Sequence, residues 1–237
     1  MNVNTLIIGS SSGIGLNSSK HFINKGHNVI GISRKLTKIK SKKFHQIRYD
    51  LNNFDDYEVL FEKIYKKFGK INNVLFCAGI QFVMPTSIIS ERDINAILNI
   101  NLKSPLLFSK FISNKKYFKR PGSAVFVSSS IATRASSGQS IYGSSKSGIN
   151  NFVKTLALEV SKYKINVNCI SPGMIKSPML KKYSKYIKKD FFEKVQNQHP
   201  LGLGDFKDVI NVIEFLFSNK SKWITGTNLI VDGGYSI

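Results

Sequence analysis

The sequence predicts an α/β fold, a doubly wound parallel sheet of seven strands with helices on both faces. Three observations predict it. Short apolar runs alternate with longer segments of helical period along the whole chain. Several of the short runs are too apolar for a strand with one wet face, and read as strands covered on both sides. No internal repeat or low-complexity linker divides the 237 residues and the six prolines are scattered, so a single domain spans 1–237.

The elements follow in order. Val3 to Gly9 is the first strand, and after a glycine-rich turn a helix over 14–25 carries Leu16, His21, Phe22 and Ile23 in an amphipathic run. Asn28 to Ser33 and Phe44 to Tyr49 are the second and third strands, followed by a helix over 54–68. Asn73 to Cys77 is the fourth strand, and the longest helical segment, 90–118, leads to the fifth, Ala124 to Ser128. The helix over 140–162 places Ile141, Ser145, Ile149, Phe152, Val153, Leu156 and Val160 on one side. Ile165 to Ser171 is the sixth strand, helices are expected over 178–198 and 205–218, and Asn228 to Val231 closes the sheet. Such alternation implies right-handed crossovers and a parallel sheet. The least regular part, 172–204, opens on Pro172-Gly173 and carries Pro178, Pro200, Gly202 and Gly204. It reads either as a lid over a site or as a surface excursion.

Composition bounds the function. The formal net charge of +21 comes from 35 Lys+Arg against 14 Asp+Glu, but 30 of the 35 are Lys, alongside 21 Asn and 29 Ile. A chain that reads nucleic acid is expected to be richer in Arg, whose planar fork makes bidentate contacts. Lys, Asn and Ile are what AT-rich codons supply, so most of the charge reads as compositional drift onto solvated faces, without specific nucleic-acid binding. Cys77 and Cys169 lie 92 positions apart with no metal-ligand spacing, which suggests neither a disulfide framework nor a metal site. The start, Met1-Asn2-Val3-Asn4-Thr5-Leu6-Ile7-Ile8, has no basic n-region, and no stretch reaches the roughly 18 apolar residues of a membrane span. The expectation is a cytoplasmic protein without a membrane partner.

Two motifs carry chemistry. Gly9-Ser10-Ser11-Ser12-Gly13-Ile14-Gly15 lies between the first strand and the first helix. Its glycines permit a tight turn and close backbone approach, and the helix N-terminus beyond offers unpaired N–H groups, so a diphosphate fits there. Tyr142-Gly143-Ser144-Ser145-Lys146 puts a phenol and an ammonium on one helix face. Nine tyrosines in a chain with 30 lysines give about one such pair by accident, so position and company must carry it. Ser128-Ser129-Ser130 ends the fifth strand, and Ser129 precedes Tyr142 by 13 residues. Asn99-Ile100-Asn101-Leu102 lies upstream, and Pro172-Gly173-Met174-Ile175-Lys176-Ser177 downstream.

The GxxxGxG turn, the Ser129…Tyr142-x-x-x-Lys146 spacing and the tail Trp223 to Gly234 together resemble the classical short-chain dehydrogenase/reductase family over nearly the whole chain. The resemblance implies a Rossmann-like fold and a ketone reductase or alcohol dehydrogenase whose catalytic residues are Asn101, Ser129, Tyr142 and Lys146. It implies cofactor contacts from Gly9, Ser11, Ser12, Gly13, Ile14 and Gly15, from Ser33 and Arg34, from Asp50 and Leu51 at the adenine, and from Cys77, Ala78 and Gly79. Tyr142, Lys146, Pro172, Gly173, Ile175 and Ser177 complete the set. Three departures stand out: Ile8 replaces the motif's threonine, Phe76-Cys77 replaces two asparagines, and Gly31-Ile32-Ser33-Arg34-Lys35 has no carboxylate at the ribose. A guanidinium there suits the 2′-phosphate, so NADP(H) is favoured and NAD(H) is the alternative.

The chemistry explains the residue types. An unperturbed phenol, with a pKa of about 10, is a poor acid, and the charge of Lys146 is expected to stabilise its phenolate. Ser129 would orient the substrate oxygen, and Asn101 would hold a water that links Lys146 to solvent. Cys77 reads as a small buried residue rather than a nucleophile. No metal enters this mechanism. Within the family the length, opening and closing motifs are most similar to bacterial 3-oxoacyl-acyl-carrier-protein reductases of fatty acid biosynthesis. Lys119, Arg120, Lys162 and Lys164 lie near where the carrier's surface falls in those enzymes. A sugar or other small secondary alcohol is the alternative substrate, and a non-catalytic NADP-binding sensor or scaffold the alternative of another class. The resemblance also implies a homotetramer, or a homodimer, with the 90–118 and 140–162 helices and the last strand at interfaces.

Overall fold

A computed structural model describes residues 3–176 and 196–237. Seven parallel strands form one sheet: β1 (Asn4–Ile8), β2 (Asn28–Ser33), β3 (Phe44–Arg48), β4 (Ile71–Phe76), β5 (Phe118–Val127), β6 (Ile165–Pro172) and β7 (Asn228–Val231). Their order is β3-β2-β1-β4-β5-β6-β7. The chain therefore steps outward from β1 to β3 and returns on the other side of β1 at β4. This reversal opens a crevice at the carboxyl ends of β1 and β4, the place where ligands sit in open α/β sheets.

Alternation along the strands builds two cores. Leu6 and Ile8 of β1 face one side with Ile30, Ile32, Val74 and Phe76, while Ile7 faces the other with Val29, Leu75 and Val125. The first side is covered by α2 (Tyr57–Phe68), α4 (Ser104–Ser113) and α5 (Ser140–Ser161), and the second by α1 (Gly13–Asn24) and α6 (Phe206–Leu216). The first core is aromatic at its centre, where Phe108 stands 5.0 Å from Phe61 and 5.9 Å from Phe76, ring to ring. Helix α5 buries Ser145, Ile149, Val153, Leu156 and Val160 of the expected stripe together with Lys146 and Ala157, while Ile141 and Phe152 are only half-buried. No helix joins β2 to β3, where residues 34–43 run as coil.

Two expectations change. The single helix over 90–118 is α3 (Glu91–Leu98), a π-helical turn (Asn99–Lys103) and α4. Strand β5 begins six residues earlier than its apolar run, at Phe118 rather than Ala124, because Ile71 pairs with Phe118 across a bulge in the β4–β5 ladder. Nearly all of the helix expected over 178–198 lies outside the described residues. The two ends of the 172–204 excursion are pinned together: Lys176 N–H donates to the Gly204 carbonyl at 2.8 Å and Gly204 N–H to that of Met174 at 3.2 Å.

Because Phe108 is fully buried in this aromatic cluster, Phe108→Ala is expected to cost about 3–5 kcal/mol. Urea unfolding followed by circular dichroism checks it; a loss under about 1 kcal/mol means that the site collapses without a cavity.

Candidate active site

The carboxyl edge of the sheet gathers the candidate residues, because all but Asn101 follow directly on a strand or open the next helix. After β1, Gly9 has φ +95°, and a Cβ there would lie 2.7 Å from the Ala78 nitrogen. A Cβ at Gly15 would collide with the Gly9 carbonyl oxygen and stand 2.7 Å from Cys77 Sγ, so only glycine lets the turn fold onto the β4 exit. Helices α3 and α6 each begin with a side-chain capping box, Ser90 with Asp93 and Asp205 with Asp208. At α1 the N-cap, Ser12, makes no side-chain cap bond and the first turn holds no acidic residue. The N–H groups of that turn, with open space beyond Gly13, suit a diphosphate.

The next exit is β2. Ser33 is buried there; its hydroxyl donates to the Lys35 carbonyl at 2.8 Å and accepts from Gln46 Nε2 at 2.8 Å and from the Ser10 hydroxyl at 3.4 Å. Arg34 follows it, exposed. Asp50, past β3, accepts at Oδ1 from the backbone N–H and the side-chain amide of Asn52, both at 3.0 Å, and Leu51 is buried.

At the β4 exit, the Cys77 N–H and thiol both donate to the Ile8 carbonyl at 3.0 Å, tying the ends of β1 and β4. Burial pushes the thiol up to about 12, against the downward pull of the Lys146 charge. It is a structural thiol, inert as a nucleophile. Asn101 sits in the π-helical turn and is buried. Its Oδ1 accepts the Ile80 N–H at 2.9 Å, and its Nδ2 donates to the Ile80 carbonyl at 2.9 Å and to Ser145 Oγ at 3.2 Å. The Ser145 hydroxyl in turn donates to the Tyr142 carbonyl at 2.7 Å.

Of the three serines closing β5, Ser128 donates to the Lys146 carbonyl at 3.1 Å. Ser129, in extended backbone, accepts the Ile131 N–H at 3.3 Å, and its hydroxyl is the polar neighbour that pulls the Tyr142 phenol down. The structure thereby separates Ser129 from its neighbours. Lys146 is buried, its Nζ donating to the Val127 carbonyl at 2.9 Å and lying 5.8 Å from the Tyr142 ring centre. A Cβ at Gly79 would stand 3.4 Å from that Nζ and 3.3 Å from Asn101 Oδ1. Ser129, Tyr142, Lys146 and Asn101 thus meet at one place, and Pro172, Gly173 and Ile175 leave the neighbouring exit of β6. Ser177 lies outside the described residues.

Burial dominates the electrostatics of the Tyr142 and Lys146 pair. Burial pushes the Tyr142 phenol up, opposed by the Ser129 hydroxyl beside it. Burial instead pulls Lys146 down to about 8, against the raising influence of Cys77. Both groups have lost water, and the ammonium donates to the Val127 carbonyl. The sequence reading also missed Ser10 and the linking role of Ser145. The latter stands on the predicted buried face of α5, where a polar residue is itself a signal.

Lys119, Arg120, Lys162 and Lys164 lie at the start of β5 and just before β6, the sheet edge opposite Ser129 and Tyr142. Arg120 packs there on the Tyr163 ring at 3.4 Å, with Lys162 at 5.1 Å. Among the described residues, no group of three or more His, Cys, Asp or Glu could hold a metal, and no helix is long and apolar enough to cross a membrane.

Residues 8–236 match a family model described as enoyl-(acyl carrier protein) reductase. The 3-oxoacyl-acyl-carrier-protein reductase of Thermotoga maritima is 31% identical over 98% of this chain and 97% of its own. Among solved structures, a short-chain dehydrogenase family protein from Francisella tularensis superposes with a TM-score of 0.90 at 28% identity, covering 100% of this chain and 99% of its own. A 4-hydroxyisoleucine dehydrogenase complexed with NADH superposes at 0.92 and 26% identity, covering 99% of each chain.

The Lys146 shift makes a stability prediction. Its folded-state value lies below the ordinary 10.5, so between about 8 and 10.5 the unfolded chain holds more protons and stability rises with pH. Below that window the burial cost is constant, on the order of 3 kcal/mol at about 1.4 kcal/mol per unit. Lys146→Met is expected to raise the Tm of the cofactor-free protein near neutral pH, by a margin that narrows toward pH 10. An equal or lower Tm near neutrality argues against a depressed Lys146.

Proposed function

The chain belongs to the short-chain dehydrogenase/reductase family and is an oxidoreductase; from that premise we propose that it reduces a ketone to a secondary alcohol with NADP(H), on a 3-oxoacyl chain carried by acyl carrier protein. The observation that carries the reading is the meeting of Ser129, Tyr142, Lys146 and Asn101 beside Gly79, across the crevice from the uncapped start of α1.

Gly9, Ser11, Ser12, Gly13, Ile14 and Gly15 would hold the diphosphate of the cofactor, with Asp50 and Leu51 at its adenine. Ala78, Gly79, Pro172, Gly173, Ile175 and Ser177 would line its nicotinamide end, above Cys77. When bound, the nicotinamide supplies the hydride for the carbonyl carbon. Tyr142 gives the carbonyl oxygen its proton. The phenol is protonated near neutrality, the state that a general acid needs, and the Ser129 hydroxyl offsets part of the upward push of burial that would weaken it as an acid. Ser129 holds the same oxygen by its hydroxyl and stabilises the charge that develops there. Lys146, at about 8, is poised to return a proton toward Tyr142. Asn101 fixes the β4 exit, and through Ser145 the start of α5, so that the donors keep their spacing.

Arg34 supports NADP(H), being exposed at the β2 exit with no carboxylate beside it in the turn. The 4-hydroxyisoleucine dehydrogenase holds NADH on a similar fold, so the side chains at this turn, not the fold, make the choice, and NAD(H) is the alternative. That neighbour also supports a second reading, a dehydrogenase of a small secondary alcohol. Carrier-protein substrates are supported by the Thermotoga maritima relative. The basic cluster around Tyr163 stands at the sheet edge opposite Ser129 and Tyr142 of the same chain. A homotetramer is supported by apolar side chains exposed where interfaces are expected: Leu106 on α4, Leu158 on α5, and Trp223 and Ile230 beside and on β7.

NADPH consumption with an acetoacetyl-carrier thioester, simple ketones and keto sugars tests the assignment and ranks the substrates. Tyr142→Phe is expected to lower kcat by about 10²–10⁴ with the NADPH Kd nearly unchanged; comparable turnover removes Tyr142 as the acid. Arg34→Asp is expected to move the ratio of kcat/KM for NADPH over NADH by at least about tenfold toward NADH. An unchanged ratio makes Arg34 a surface charge only.

A further inference from the structure

The loop that leaves β5 carries a cation the reaction does not use. Arg134 lies five positions past Ser129. Its guanidinium carbon stands 4.3 Å from the centre of the Tyr235 ring, and its Nη1 donates to the Tyr235 carbonyl. The same ring stacks on His199, with centroids 4.5 Å apart and planes at 17°. His199 is buried, and its Nε2 accepts the Met174 N–H at 3.2 Å, directly past the Pro172-Gly173 turn. Three stretches distant in sequence therefore meet on one ring: the loop bearing Ser129, the tail beyond β7, and the returning limb of the 172–204 excursion.

The tail is shaped to sit there. Buried Asp232 accepts from the Gly234 N–H at 3.0 Å, the Ser236 N–H at 2.9 Å and the Ser236 hydroxyl at 2.6 Å, which winds the tail into a turn. Leu201 N–H donates to the Gly233 carbonyl at 3.0 Å. A Cβ at Gly173 would stand 2.7 Å from that of Asp232, so the tail also lies directly against the β6 exit. The backbone contacts hold the tail to β6 and to 199–202, and the Tyr235 ring carries the connection on to the catalytic loop.

We propose that Tyr235 and Arg134 are positioning residues: their stack with His199 holds the loop of Ser129 at a fixed spacing from the β6 exit. The proton-donating side of the site, Ser129 and Tyr142, thereby stays in register with the side formed by Pro172, Gly173 and Ile175. The proposal rests on the reductase reading above. Catalysis by proximity makes such spacing consequential, since a misplacement of about 1 Å costs up to about a hundredfold in rate. A flat guanidinium on an aromatic face is also a contact that lysine does not reproduce.

Three variants test it. Tyr235→Phe keeps the ring and the carbonyl, Tyr235→Ala removes the ring, and Arg134→Lys keeps the charge without the flat face. In single-turnover ketone reduction, Tyr235→Ala and Arg134→Lys are expected to slow hydride transfer at least about tenfold with the NADPH Kd within about twofold, while Tyr235→Phe matches the parent. Amide hydrogen exchange over residues 130–139 is expected to accelerate in Tyr235→Ala even without cofactor. Parental rates in Tyr235→Ala or Arg134→Lys, equal losses in Tyr235→Phe, or a loss no greater than the unfolded fraction read from Tm overturns the proposal. If Tyr235→Ala does not fold, Arg134→Lys decides it by both readouts. A parent protein that reduces no ketone overturns the reductase reading instead, and unchanged exchange over 130–139 in the folded variants then overturns the stack by itself.

Discussion

The amide of Asn101 and the backbone of Ile80 form the contact on which the site depends. Its two hydrogen bonds satisfy both polar groups of one loop residue from one side chain, and a third reaches Ser145. Through them the break between α3 and α4, the exit of β4 and the start of α5 become one unit. The π-helical turn is what makes the reach available, since the widened turn re-aims a side chain that a continuous helix would direct elsewhere. Tyr142 and Lys146 ride on the helix fixed by this unit, and Ser129 meets them from β5.

Desolvation, more than the meeting of opposite charges, sets the electrostatic character of the site. Burial pushes the Tyr142 phenol and the Cys77 thiol up and pulls the Lys146 ammonium down to about 8. A buried ammonium paired with a carbonyl is a stability liability. Its retention at the one place where a phenol, a serine and a glycine-rich turn converge is the pattern of a functional group that the rest of the domain supports. The aromatic core around Phe108 lies on the same sheet face and supplies that support.

The net charge of +21 divides along similar lines. Among the described residues the ion pairs join His21 and Lys25 to Glu214, and Lys116 to Glu62, and all are partly exposed and of small energetic weight. Most lysines are solvated. The exposed stretch from Arg34 onward follows the β2 exit, where an anionic group on a cofactor would lie. The cluster around Tyr163 stands at the other edge of the sheet, so any anion it meets is a different one.

The alternation of apolar runs with amphipathic segments was enough to place all seven strands, two of them, β2 and β7, at their observed ends; burial on both faces leaves the central strands little freedom of composition, and the edge strands β3 and β7 are less buried. The glycine turn was legible for a similar local reason: Gly15 has no room for a side chain. The sequence could not show that the segment around Asn101 unwinds, since its helical period is preserved across the turn and the cause, Ile80, lies 21 positions away. Nor could it distinguish Ser129 from Ser128 by more than spacing, as both are serines at a strand end and only the approach of α5 separates them. The stack of Arg134, Tyr235 and His199 had no sequence signature at all. By itself, then, the sequence determined the sheet, the turn and which groups are candidates for the site, all of which follow from local pattern. Tertiary structure alone decided which groups touch and which lose their water, because distance and dielectric are properties of the packed chain.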